Sequence, residues 1–116
     1  MRRGRCNCGR IDYEARAQPR DAHFCHCSMC RRAVGNGFAT LVWFYMRDVV
    51  RSGERPAEYR SSPIARRGFC RVCGTPLYLV YDSTDQIAIM AGSLDDPGDL
   101  QLTHHYGTES RLPWAD

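Results

Sequence analysis

Seven cysteines fall in three tight clusters along 116 residues: Cys6-x-Cys8, Cys25-x-Cys27-x2-Cys30 and Cys70-x2-Cys73. An odd count leaves one thiol over in any full pairing, and cysteines this close in sequence pair poorly with each other. The same spacings suit metal knuckles, in which neighbouring thiolates grip one ion and a following glycine turns the chain. Gly9 follows the first cluster and Gly74 the last. Any fold open to this chain must therefore bring short cysteine loops, distant in sequence, to common points.

The two glycine-flanked pairs, Cys6 with Cys8 and Cys70 with Cys73, together make a closed four-thiolate site. Four thiolates fill the tetrahedral shell of Zn2+, so that site is structural, and its binding energy is folding energy. Cys25, Cys27 and Cys30 remain, and three thiolates leave one tetrahedral position open, the pattern of a reactive zinc site. The residues offer several ways to fill it. His26 or His23 can close the shell from nearby, and His104 or His105 from a distance; any of them would make the second site structural too. The spacing matches no common iron–sulfur signature. A zinc site of three thiolates is net negative, a weak Lewis acid, and suited to exchanging a soft ligand such as an external thiolate. Cys25, Cys27 and Cys30 are thus the candidate catalytic residues. Arg31 and Arg32 follow directly and are the candidates for binding an anionic cofactor or substrate, with Arg66 or Arg67 as further contributors.

The rest of the chain reads as mostly β, a small zinc-stabilised domain over 1–116 with its metal ligands in loops. Ile11–Ala15 alternates apolar and polar residues, and Phe38–Phe44 is the strongest strand. Ser28–Val34 is a short helix or turn stopped by Gly35. Val49-Val50 and Ala57–Arg60 are expected to form a hairpin around Ser52–Pro56, and Leu77–Tyr81 with Gln86–Met90 a second one.

All 16 basic residues are arginine. Residues 1–79 carry 15 of them against six acids, a formal +9, and residues 80–116 carry one against seven, a formal −6. The arginines are scattered singly and do not interleave with aromatics, so a solvated surface is favoured over a nucleic-acid interface. No apolar run approaches the ~20 residues of a membrane span, and no apolar stretch follows the N-terminal arginines as in a signal peptide. A cytoplasmic, reducing location is expected from cysteines used as ligands.

Taken in order, several segments resemble the glutathione-dependent formaldehyde-activating enzyme family, whose domain is shared with centromere protein V. They are Gly4-Arg5-Cys6-Asn7-Cys8-Gly9, Cys25–Arg32, Tyr59–Ser62, Arg67–Gly74 and Gly92–Pro97. The resemblance implies a β-tent-like fold, a structural zinc on Cys6, Cys8, Cys70 and Cys73, and a second zinc on Cys25, Cys27 and Cys30. It implies a carbon–sulfur lyase condensing glutathione, a small thiol, with formaldehyde, a small aldehyde. A zinc-stabilised binding module without catalytic activity is the alternative, because a shared fold does not fix function.

Overall fold

The structure, a computed structural model, describes residues 1–115. Its strands are β1 (Arg2–Arg5), β2 (Ile11–Ala15), β3 (Asp21–Cys25), β4 (Ala39–Tyr45), β5 (Val49–Gly53), β6 (Ala57–Ser62), β7 (Ala65–Phe69), β8 (Pro76–Tyr81), β9 (Gln86–Met90) and β10 (His105–Tyr106). One helix longer than a single turn, α1 (Ser28–Val34), lies between β3 and β4. The strands form a three-stranded sheet, β1-β2-β5, and a seven-stranded sheet, β10-β3-β4-β9-β8-β7-β6. Every pairing is antiparallel except β10 with β3.

The large sheet is apolar on both faces, so successive residues of a strand serve different cores. Val42 and Phe44 of β4 and Ile89 of β9 pack with Ile11, Tyr13 and Leu77 in a core that includes residues of the small sheet. Leu41 of β4, and Ala88 and Met90 of β9, pack with Leu79 and Cys30 in a second core that includes the helix. β2 buries Ile11, Tyr13 and Ala15 and leaves Asp12 and Glu14 half-buried, as its alternation predicts. The buried Tyr13 hydroxyl meets Ser93 Oγ at 2.6 Å, linking the small sheet to the turn after β9.

The charge blocks of the sequence interleave in space. Asp82 pairs with Arg60 and Arg66, and Asp99 pairs with Arg2. Each exposed pair contributes little; they mark where acidic chain lies against basic chain. No helix of the described residues is long and apolar enough to cross a membrane.

The helix spans 28–34 and ends at Gly35, whose φ of 69° is the left-handed cap that glycine supplies most readily. The hairpin β8–β9 also forms, with Leu79 opposite Ala88. The other expected hairpin does not. β5 pairs with β2, Ile11 opposite Gly53 and Ala15 opposite Val49, while β6 pairs with β7 in the other sheet. Turn residues over 52–56 carry the chain between sheets; their local chemistry is the same for both outcomes, and the tertiary contacts differ, with Val49 of β5 packed against the core that holds Ile11 and Tyr13 of β2. Gly53 is where the chain leaves the small sheet. Its φ is 79°, and a Cβ there would lie 2.2 Å from the Arg10 carbonyl oxygen. Gly53→Ala should therefore lower stability by about 2 kcal/mol or more, read as a lower urea midpoint at saturating zinc; an unchanged midpoint would mean the crossing is not held at this residue.

Candidate metal centres and the adjoining cleft

Cys6 and Cys8 lie in the β1–β2 connection, and Cys70 and Cys73 in the β7–β8 connection. Each pair forms a knuckle. Gly9 N–H donates to Cys6 O at 3.1 Å and Gly74 N–H to Cys70 O at 2.8 Å, with φ of 81° and 80° at the two glycines. Backbone N–H groups also point at sulfur: Ile11 N to Cys6 Sγ at 3.4 Å, and Val72 N to Cys70 Sγ at 3.4 Å. Thr75 joins the knuckles, its Oγ1 accepting from Asn7 N at 2.9 Å and lying 3.2 Å from Cys73 Sγ. Contact with the Thr75 side chain and backbone holds the Cys73 thiol down to about 5.

The four sulfurs lie within 4.8 Å of one another, with Cys6–Cys8 at 3.6 Å and Cys8–Cys70 at 3.7 Å. Sulfurs bound tetrahedrally to zinc at 2.3 Å would lie about 3.8 Å apart, so the donor set and spacing fit that ion. Cys6 and Cys70 are fully buried within the core between the sheets. This is the closed site.

The second cluster belongs to the other core. Cys25 ends β3, Cys27 caps the helix, and Cys30 sits in its first turn, almost fully buried. Cys27 Sγ accepts from Cys30 N at 3.4 Å and lies 3.5 Å from Cys25 Sγ. All three sulfurs fall within 4.8 Å, and no other His, Cys, Asp or Glu ligand atom among the described residues joins them. They line a cleft of about 470 Å³ together with Trp43, Tyr81 and Arg67.

Arg67 is the residue that sequence reading underrated. It comes from β7, is only 5% exposed, and donates from Nη2 to Cys30 Sγ at 3.5 Å. Its Nε and Nη1 are buried without a hydrogen-bond partner. A cation buried without a carboxylate is costly unless anionic groups face it. The three-sulfur cluster is that group. Hydrogen bonding from Cys25, then from Arg67, holds the Cys30 thiol down to about 5 against the opposing effect of burial.

The histidines do not close the shell. Trp43 Nε1–H donates to His23 Nε2 at 2.9 Å, which leaves the proton of a neutral ring on Nδ1, facing Phe24 O. His26 is fully buried, and its Nε2 lies 2.9 Å from His105 Nδ1. Arg111 donates to that same Nδ1 at 3.1 Å, so His105 accepts and His26 Nε2 must carry the proton. Burial, then Arg111 and His105, lowers the pKa of His26 and keeps the ring neutral. The C-terminal segment does fold back, through β10, and puts Tyr106 on the cleft, while His104 reaches Asp21 at 3.3 Å. Arg31 is half-buried on the helix and Arg32 exposed, and neither lines the cleft.

Residues 1–110 match the glutathione-dependent formaldehyde-activating enzyme family. The chain belongs to that family. An uncharacterized lyase of Schizosaccharomyces pombe is 33% identical over 78 residues, 67% of this chain and 56% of that protein. The chain thus matches little more than half the length of this curated relative. A Rhodobacter sphaeroides protein known from a crystal structure superposes with a TM-score of 0.70 at 25% identity, covering 90% of this chain and 98% of that one.

For this member of the formaldehyde-activating enzyme family, the two centres should separate under mutation. Cys27→Ser should remove one of two zinc equivalents, read by atomic absorption, and leave the far-UV circular dichroism and cooperative melting intact. Cys73→Ser should abolish cooperative folding, since structural zinc is worth about 10–16 kcal/mol in small zinc-folded peptides. The reverse outcome would exchange the roles of the clusters.

Proposed function

We propose that the chain is a zinc-dependent carbon–sulfur lyase acting on thiol–aldehyde adducts, with glutathione and formaldehyde as its substrates. Family membership supports lyase-type chemistry of this kind in general. The observation that carries the specific reading is the three-cysteine cluster opening on a cleft with Arg67 buried against it. Zinc held by Cys25, Cys27 and Cys30 supplies a soft position suited to an incoming thiolate.

The chain's own residues do the rest. Trp43, Tyr81 and Tyr106 line the cleft and give a small aldehyde aromatic surface to rest on. In the condensation, glutathione sulfur bonds to the formaldehyde carbon, the carbonyl π pair moves to oxygen, and the thiol proton ends on that oxygen as a hydroxyl. Negative charge therefore passes from sulfur to oxygen within the cleft. Arg67, buried against the cluster with Nη2 on Cys30, supplies the positive charge that offsets it. Arg31 and Arg32, on the helix that carries Cys30, are assigned to a glutathione carboxylate outside the cleft. His23 holds Trp43 in place and is not free to act as a base.

The reading is tested by following S-hydroxymethylglutathione formation by NMR with two-zinc protein. Saturable acceleration above the uncatalysed rate is expected. Arg67→Lys keeps the charge and loses the planar fork, so it should retain both zinc equivalents and lower kcat/KM by about 10–100-fold. If glutathione neither binds nor speeds adduct formation, the lyase reading is dropped and the zinc-stabilised binding module takes its place.

A further inference from the structure

A second cleft lies on the face of the seven-stranded sheet opposite the three-cysteine cluster. The alternation of β7 and β9 shows this directly. Arg66, Ile87 and Ile89 line this cleft, whereas Arg67 lines the cysteine cleft, and Ala88 and Met90 belong to the cysteine-side core. The cleft has a volume of about 460 Å³ and lies between the small and large sheets. Its floor is apolar, from Ile11 of β2, Val80 of β8, and Ile87 and Ile89 of β9.

The cleft is open to solvent and leaves apolar side chains beside a core partly uncovered, which is the kind of surface that marks a binding groove. Small-molecule sites typically span ~300–1,000 Å³ with mostly apolar walls and a few placed polar groups. This cleft fits both conditions. Water over such a floor finds no hydrogen-bond partners, and an apolar body replacing it is favoured.

The mouth specifies the head group. Arg51, Arg55 and Arg66 face one acid there, Glu58, a formal balance of +2. Glu58 is already engaged by the Tyr78 hydroxyl and by Arg66. Arg51 donates only to the carbonyl oxygens of Gly53 and Glu54, at 2.9 and 3.0 Å. Neither Arg51 nor Arg55 pairs with an acid among the described residues. Two exposed guanidinium groups without acidic partners thus stand over an apolar slot.

We propose that this cleft binds a small amphipathic anion, a medium-chain acyl carboxylate, with its chain on the apolar floor and its head group at Arg51 and Arg55. A neutral alcohol of the same length would fill the floor and leave the arginines unanswered. An alkyl phosphate presents the same charge logic with a larger head and more negative charge, so the two head groups are separated by experiment. The site is independent of the lyase reading, because the large sheet stands between the two clefts.

The test is isothermal titration of the full two-zinc protein with decanoate below its micelle concentration, with decanol and decyl phosphate alongside. Decanoate should bind saturably, one per chain, and at least tenfold more tightly than decanol, with decyl phosphate no tighter than decanoate. Arg55→Glu removes no hydrogen bond and should weaken decanoate with an unchanged melting temperature, and the Arg51→Glu/Arg55→Glu double variant, which also loses the Arg51 bonds to the Gly53 and Glu54 carbonyls, should weaken it at least tenfold while still melting cooperatively. Cys27→Ser should bind decanoate as the parent does. Absence of saturable binding, equal affinity for decanol, or indifference to the double variant overturns the proposal. Tighter binding of decyl phosphate overturns the carboxylate assignment, and loss of binding in Cys27→Ser overturns the placement.

Discussion

The four-cysteine cluster is the contact on which the rest of the arrangement hangs. It joins the β1–β2 connection of the small sheet to the β7–β8 connection of the large one, about 60 residues apart in sequence (Cys8 to Cys70 is 62). Closing so long a loop costs chain entropy that a few surface hydrogen bonds cannot offset. A metal bound by four thiolates can, because the unfolded chain holds no preformed site. The consequences reach beyond the knuckles. Arg67 is three residues from Cys70 on the strand that runs into the closed site, so the structural cluster also sets how that guanidinium approaches Cys30.

The large sheet then divides the labour. Its strands are apolar on both faces, with the closed site in the core on one side and the three-cysteine cluster in the core on the other. Each core has its own cleft, one lined by sulfur and aromatic rings, the other apolar with an arginine mouth. Architecture and chemistry are therefore separable in this chain even though the two cysteine groups look alike in composition. The difference lies in what surrounds them. The closed site is stitched by Thr75 and backbone N–H groups, whereas the open one faces a cavity and a buried cation.

Much of this was legible in the sequence because ligand spacing, glycine turns and strand alternation are local signals. The partition of seven cysteines into four and three follows from the pairs flanked by Gly9 and Gly74, and the structure brings together those same groups. The helix over 28–34 and the β8–β9 hairpin were equally local. The β5–β6 crossing was not, since a turn-rich stretch does not say which strand its neighbours will pair with. β1, a run of arginines and glycine, shows no apolar alternation and is a strand because β2 and the closed site hold it. β10, two residues long, pairs in parallel with a strand some 80 residues earlier (His105 with Phe24), beyond any local pattern. Arg67 had one usable sign: adjacent arginines in a strand buried on both faces must point to opposite cores, so one of Arg66 and Arg67 had to face the cysteine-side core.

That buried arginine also explains why the second cluster is unlike the first. Four thiolates with a divalent ion leave a charge of −2, which the closed site spreads over backbone N–H donors. Three thiolates leave −1, and Arg67 balances it. The nearby histidines are committed elsewhere: the indole of Trp43 fixes the tautomer of His23, and His26 donates to His105. Neither brings a proton or a lone pair to the sulfurs. Such a site is neutral overall when a neutral ligand sits in its fourth position and becomes anionic when a thiolate arrives. On the proposed lyase reading, the Arg67 guanidinium already set against Cys30 is the charge that would offset that change. A histidine in the shell would have filled the position outright, and a carboxylate beside Arg67 would have spent its charge in a salt bridge. The fold does neither: among the described residues no His, Asp or Glu ligand atom joins Cys25, Cys27 and Cys30, and no acid pairs with Arg67, which is the opening the proposed lyase reading relies on.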